Sequence, residues 1–280
     1  MPTRNIHNCN LFYEDLGNRN AKETIAFLNG VMASTNSWEK IYLPAIEKGY
    51  RVILHDFMGQ MKSDKPDREY SFAEHAVMTI ELLESLEAKN VHFVGTSYGG
   101  EIALKLAIMF PQYPQSLTII DSVSELDEVL IGFVESWKIL IDNCNGEDFF
   151  KAVIPSIYGA KYIKANKESL MQRAHLFNKL EDSYPGFFQG QKKLYATFLS
   201  DAYQSEYLKE IQCPTLVICG KDDILKPPKF SRIIAQGIKN AELLLLPDCG
   251  HVAVFEKPEE ITEATLRFIQ KTKTENKNGN

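Results

Sequence analysis

The sequence predicts an α/β fold: a mostly parallel central sheet flanked by helices, with a helical cap inserted late in the chain. Three observations carry that expectation. β-type and helix-type runs alternate at both ends of the chain, as strands joined by crossover helices do. The central β-type runs are nearly unbroken in apolar residues, as strands covered on both faces are. Between residues 122 and 214 the alternation stops, and only helical patterns are found.

The strand candidates are 6–14, 23–29, 50–56, 91–96, 116–121, 214–219 and 241–246. Val91-His92-Phe93-Val94, Leu117-Thr118-Ile119-Ile120 and Thr215-Leu216-Val217-Ile218 are the most continuous apolar runs. Among the intervening helices, Phe72, Ala76, Ile80 and Leu83 recur at helical spacing, as do Ala103, Leu106 and Phe110. Pro111 and Pro114 close the second of these. Pro258-Glu259-Glu260 opens the last helix with the residues a helix start favours. In the interrupted region, Leu126, Leu130, Phe133, Trp137 and Leu140 form one apolar stripe. Phe149, Phe150, Val153, Ile154 and Ile157 form the next, and 160–180 and 186–201 are helical in pattern. The expected organisation is a core of 1–122 and 214–270, a cap of 123–213, and a disordered polar tail of 271–280.

Composition narrows the function classes. The 280 residues are 44% hydrophobic and 24% charged, ordinary values for a globular chain. The net charge of −6 and the lack of a Lys/Arg-rich block in the first 270 residues argue against a nucleic-acid partner. No stretch has the length and apolarity of a membrane span, and Met1 to Asn5 lead into polar residues, so a cytoplasmic location with no membrane partner is expected. Five scattered cysteines without a C-x-x-C pair suggest reduced thiols, with neither a disulfide framework nor a zinc site.

The strongest chemical motif is Gly95-Thr96-Ser97-Tyr98-Gly99, followed by Gly100. It lies between an apolar run and a helical one, the strand–turn–helix setting of a nucleophile elbow. A serine on such a sharp turn needs small neighbours two residues away on each side, because strand and helix nearly touch. Serine also needs a positioned base. His251 follows Asp248-Cys249-Gly250 in a loop beyond the run Leu243 to Leu246, where open α/β sheets collect their functional groups. His92 falls inside a strand, His75 and His175 on helical faces, His7 near the terminus, and His55 reads as structural.

A carboxylate beyond another strand end should orient the base. Asp222 and Asp223 follow Gly220, and Asp121 ends the run Leu117 to Ile120. Asp223 ranks first, with Asp121 and Asp222 as rivals, and the chain order Ser97, Asp223, His251 then fits this fold. Backbone donors must hold the developing oxyanion. One candidate is the N–H of Tyr98, after the nucleophile. The other is the N–H of Val31, in the loop Phe27-Leu28-Asn29-Gly30-Val31, where Gly30 is expected to free the backbone.

These motifs give the chain a resemblance to the α/β-hydrolase superfamily, in its branch of small cytosolic esterases, enol-lactonases and cofactor-free relatives. The resemblance spans residues 10 to 270. It rests on Asn29-Gly30, Asp56 to Ser63, Gly95 to Gly100, Cys213 to Pro227, and Gly250-His251 with Phe255-Glu256-Lys257-Pro258. It implies a helical lid matching the cap, and no metal or organic cofactor. Two positions depart from the family pattern. Asn29 stands where His usually precedes the glycine of the oxyanion loop, and Met61 replaces the second glycine of Asp-x-x-Gly-x-Gly-x-Ser.

A serine rather than an aspartate nucleophile sets the resemblance apart from dehalogenases and epoxide hydrolases. What it implies is acyl chemistry, with a small-molecule ester, lactone or thioester as substrate. Two other readings use the same three residues: a ligand-sensing signalling protein with slow turnover, and a cofactor-free lyase or perhydrolase.

Overall fold

A computed structural model describes residues 2–278 of the chain. Eight strands form one sheet: β1 (Thr3–Ile6), β2 (Cys9–Leu16), β3 (Thr24–Leu28), β4 (Arg51–His55), β5 (Val91–Thr96), β6 (Ser116–Ile120), β7 (Thr215–Gly220) and β8 (Glu242–Leu246). Their spatial order is β1-β2-β4-β3-β5-β6-β7-β8. The β1–β2 and β2–β4 pairs are antiparallel, and all the others are parallel. The helices are α1 (Glu39–Glu47), α2 (Phe72–Ser85), α3 (Tyr98–Met109), α4 (Glu128–Asn143), α5 (Gly146–Ile157), α6 (Ala160–Ala165), α7 (Lys167–Phe177), α8 (Leu180–Ser183), α9 (Phe187–Asp201), α10 (Pro228–Gly237), α11 (Ala253–Glu256) and α12 (Pro258–Asn278).

Every residue of β3 through β7 is buried, which is why those runs are apolar without alternation. The period of two still sorts their side chains between two cores. Ala26, Leu28, Ile53, Phe93 and Ile119 join the cluster under α2 and α3. Ile25, Phe27, Val52, Val94 and Ile120 join the one under α1 and α12. β8 lies at the sheet edge, and its first residues are exposed.

Two segments differ from expectation. The strand expected over 6–14 is a hairpin, because His7 and Asn8 both take positive φ (50° and 61°) and turn β1 back on β2. The tail expected to be disordered from Lys271 instead continues α12 to Asn278, and residues 279–280 lie outside the described residues. Side chains anchor that extension: Thr272 is buried, and Lys271 pairs with Glu242 at 2.7 Å.

Residues 123–213 contain no strand and carry α4 to α9. The two stems of this segment are joined where it leaves and re-enters the sheet. Ser124 O accepts from the backbone N–H of Gln204 (2.7 Å) and of Ser205 (3.0 Å). Its rings pack on one another, Phe177 against Phe149, Phe150 and Phe187, while its inner face joins the core under α2 and α3. Among the described residues, no helix is long and apolar enough to cross a membrane.

Candidate active site

Ser97 sits between β5 and α3 at φ 50°, ψ −120°, a region that side-chain-bearing residues rarely occupy. The turn is over-determined by its glycines. A Cβ on Gly99 would lie 2.1 Å from Leu28 O, and one on Gly95 would lie 2.4 Å from Gly99 O. Only hydrogen side chains let strand, turn and helix come this close, so the serine is held outward on a strained turn.

The structure brings Ser97, His251 and Asp223 together across more than 150 residues of sequence. His251 Nε2 lies 3.1 Å from Ser97 Oγ, and His251 Nδ1 lies 2.9 Å from Asp223 Oδ2. A carboxylate can only accept, so Nδ1 carries the ring proton and Nε2 is left to accept from the serine hydroxyl. Asp223 is 2% exposed and His251 5%. The other Asp223 oxygen accepts from the N–H groups of Leu225 (2.9 Å) and Lys226 (2.8 Å), which fixes the carboxylate plane. The histidine loop is held from two sides. Ile157 O accepts from His251 N at 2.9 Å, and the Glu256 carboxylate accepts from Gly250 N at 3.1 Å and Gly159 N at 3.0 Å. Burial pushes the Glu256 carboxyl above its usual range.

The rival acids fall elsewhere. Asp222 is exposed. Asp121 is fully buried but accepts from Gly220 N (3.0 Å) and Ala253 N (3.1 Å) rather than from His251. It therefore staples the loop after β7 to the start of α11. Burial, reinforced by the neighbouring Asp223 charge, raises its carboxyl well above the ordinary value. His92 meets Ser116, His7 meets Glu81 and His175 meets Glu147, all away from Ser97.

Among the described residues, the N–H groups of Val31 and Tyr98 donate to no acceptor. Val31 lines the cavity above Ser97. Gly30 is not a steric necessity here: an added Cβ would meet Ser97 Cβ at an ordinary 3.5 Å. The Asn29 side chain turns away from the cavity. Its Nδ2 donates to His55 O and Asp56 Oδ1, both at 3.0 Å, and its Oδ1 accepts from Trp38 Nε1 at 2.9 Å. The departure at Asn29 thus leaves the backbone donors in place. Burial lifts the Asp56 carboxyl to about 6. Met61, at the missing glycine, takes a positive φ of 21°.

Three residues at the site carried no signal in the sequence. Gln60 is fully buried, and its Nε2 donates to Gly30 O (2.8 Å) and Val31 O (3.1 Å), pinning the loop that presents Val31. Lys226 Nζ donates to Ser97 Oγ at 3.1 Å and to Glu101 Oε1 at 2.6 Å. No local pattern joins Lys226 to Glu101, which sits one turn into α3.

The cavity over Ser97 has a volume of about 90 Å³. Its floor includes Gly30, Val31 and His251, and its roof comes from the helical segment, including Trp137, Phe150, Tyr158 and Phe198. Phe133, Phe149, Phe187 and Phe188 of the same segment do not line the cavity. They serve the segment's own packing.

Asp121, Cys219 and Asp223 have the composition of a metal site, with ligand atoms within 4.8 Å of one another. Their carboxylate oxygens already serve the loops around them. Both Asp121 oxygens and both Asp223 oxygens accept the hydrogen bonds given above, and burial drives the Cys219 thiol far toward its protonated form.

A family model described as alpha/beta hydrolase fold matches residues 23–258. A protein of Stutzerimonas stutzeri (strain A1501) named "Putative carbamate hydrolase RutD" is 30% identical over 249 residues, 88% of this chain and 91% of its own. The crystal structure of MGS-M2, an alpha/beta hydrolase enzyme from a Medee basin deep-sea metagenome library, is similar with a TM-score of 0.89 and 26% identity. It covers 96% of this chain and 97% of that one. The enol-lactonase from Burkholderia xenovorans LB400 shares the fold with a TM-score of 0.86 and 20% identity, over 96% and 100% of the two chains.

Proposed function

The chain belongs to the alpha/beta hydrolase fold family, and within it we propose a serine hydrolase that cleaves carboxylic esters, lactones or thioesters of small to medium apolar substrates. The observation that carries this reading is the buried hydrogen-bonded line from Asp223 through His251 to Ser97 at the cavity floor. Ser97 Oγ attacks the scissile carbonyl carbon while His251 Nε2 takes its proton. The carbonyl oxygen becomes an oxyanion held by the N–H groups of Val31 and Tyr98. Collapse expels the alcohol or thiol, which takes the proton back from His251. Water, deprotonated by the same histidine, then opens the acyl-enzyme. Asp223 stabilises the imidazolium in both halves.

Residues 123–213 act in this reading as a cap that shields the site from bulk water and supplies apolar walls. The name of the relative from Stutzerimonas stutzeri supports adding carbamates to the screen, since a carbamate offers the same acyl carbon to Ser97. The test is a fluorophosphonate probe read by intact mass, followed by turnover of ester, lactone, thioester and carbamate panels. One label is expected, with none on Ser97→Ala. Undiminished labelling of that variant would sink the assignment. Labelling without sustained turnover of any panel would favour a slow-turnover ligand sensor.

A further inference from the structure

Lys226 and Glu101 form an ion pair whose side chains are 5% and 0% exposed. Burying two charges carries a desolvation penalty that their attraction only partly offsets, and an apolar pair of similar volume is often as stable. This pair is also incompletely satisfied. Glu101 Oε1 accepts from Lys226 and from Val123 N (3.1 Å), but Oε2 has no partner. The proposed acid–base line does not need it either, because Ser97 Oγ already gives its proton to His251. Yet the ammonium is placed on the nucleophile itself, 3.1 Å from Oγ, with the Phe198 ring centroid at 4.4 Å.

Position decides what the ammonium meets. A carbon bonded to Ser97 Oγ is one covalent bond from an atom that Nζ already touches. The substituents of that carbon therefore come within reach of Nζ. Lys226 has three N–H donors, of which Glu101 takes one and Ser97 another. A plain alkyl acyl group packed there would leave that charged donor facing hydrocarbon without an acceptor. An acceptor oxygen would satisfy it. Sites built around a polar group discriminate against the analogue lacking the partner far more strongly than apolar pockets discriminate by size. Glu101 balances the charge of Lys226, so Lys226 itself attracts as a local donor, distinct from the Arg173 guanidinium that lines the same cavity beside Tyr158.

Resting on the Ser97 reading above, we propose that Lys226 is a further catalytic-site residue, selecting acyl groups that carry a neutral keto or ether oxygen on one of the first two atoms beyond the scissile carbonyl. Glu101 is its positioning residue.

The experiment compares 4-nitrophenyl methoxyacetate with 4-nitrophenyl butyrate, an isosteric pair that differs by oxygen for methylene. In the unaltered protein, the kcat/KM ratio, divided by the ratio of the hydroxide-catalysed rates, is expected to favour methoxyacetate by about tenfold, the worth of a charged hydrogen bond. In the double variant Glu101→Gln with Lys226→Met, which removes both charges and roughly keeps volume, that preference is expected to collapse toward one. A corrected ratio near one in the unaltered protein, or the same preference in the double variant, overturns the proposal. A gain confined to the charged 4-nitrophenyl hemisuccinate also overturns it, because net charge would then be what is read. Fluorophosphonate labelling of Ser97 separates the two levels. With labelling intact, a flat ratio removes only the role of Lys226. Without labelling of the unaltered protein, the Ser97 reading and this one fall together.

Discussion

Asp121 and Asp223 stand beyond neighbouring strands with carboxylate oxygens within 4.8 Å of each other, yet only Asp223 reaches His251. The two acids divide the labour. Asp223 faces the imidazole, whereas Asp121 ties together the backbone of the loops that carry Asp223 and His251. Asp223→Asn is expected to lower kcat by roughly 10³–10⁴-fold, because the amide cannot stabilise the imidazolium. Asp222→Asn, at an exposed position, should change kcat less than about twofold. Asp121→Asn should show mainly as lost stability, since the amide nitrogen cannot accept from a backbone N–H. Steady-state kinetics and urea unfolding of the three variants check this ordering. A kcat loss at Asp121 as large as that at Asp223 would contradict it.

Gln60 pins the loop that presents Val31 from behind. Gln60→Leu keeps the volume but leaves Val31 O and Phe57 N without a partner, while Gly30 O keeps only the N–H of Ala33. Orphaned buried groups cost about 1–3 kcal/mol each before relaxation. If the Val31 N–H holds the oxyanion, the shifted loop lowers kcat by roughly 10-fold or more while KM changes little. Lower unfolding stability with an unaltered kcat would instead make Gln60 a structural pin alone.

The cavity roof is expected to set acyl length. About 90 Å³ accommodates a short acyl group, and Trp137 and Phe198 close the space above it. Rates on 4-nitrophenyl esters are expected to fall as the acyl chain outgrows the cavity. Trp137→Ala should move the optimum to longer chains. Equal rates on short esters and emulsified long-chain triglycerides would mean that the helical segment does not enclose the site.

Burial holds His75 neutral, with its pKa brought down to about 3, and Phe57, Tyr70 and Tyr98 present their rings around it. Above pH 6.5 it is neutral in both states and its contribution is complete. Between pH 6.5 and about 3 the unfolded chain binds a proton that the folded chain refuses, so stability falls with pH, by up to about 1.4 kcal/mol per pH unit. His55 and His92, each brought down to about 4 by burial, act with the same sign. Asp56 acts with the opposite sign. Its carboxyl, raised to about 6, holds a proton that the unfolded chain releases, so its contribution grows as pH falls toward 3.8. His75→Phe isolates one of these terms and keeps a ring in place. Urea unfolding from pH 7.5 to 4.5 should give a shallower acid loss for the variant. An unchanged slope would mean that His75 takes up its proton as readily in the fold as in the unfolded chain.

The sequence by itself determined the parallel sheet, the helical segment after β6, the elbow at Ser97 and the loop position of His251. Each is a local property. Continuous apolar runs report strands covered on both faces, and the spacing Gly95, Ser97, Gly99 reports a turn where only glycine fits. The acid could be narrowed to three aspartates but not fully decided, because the choice depends on which carboxylate plane the tertiary packing aims at the imidazole. The split of 6–14 into a hairpin and the run of α12 past residue 270 were likewise decided by pairing and anchoring with distant residues. Gln60 on the Gly30–Val31 loop and Lys226 on Glu101 were invisible in one dimension. Lys226 and Glu101 lie 125 residues apart, and a buried charge acquires its meaning only from the partner that folding places beside it.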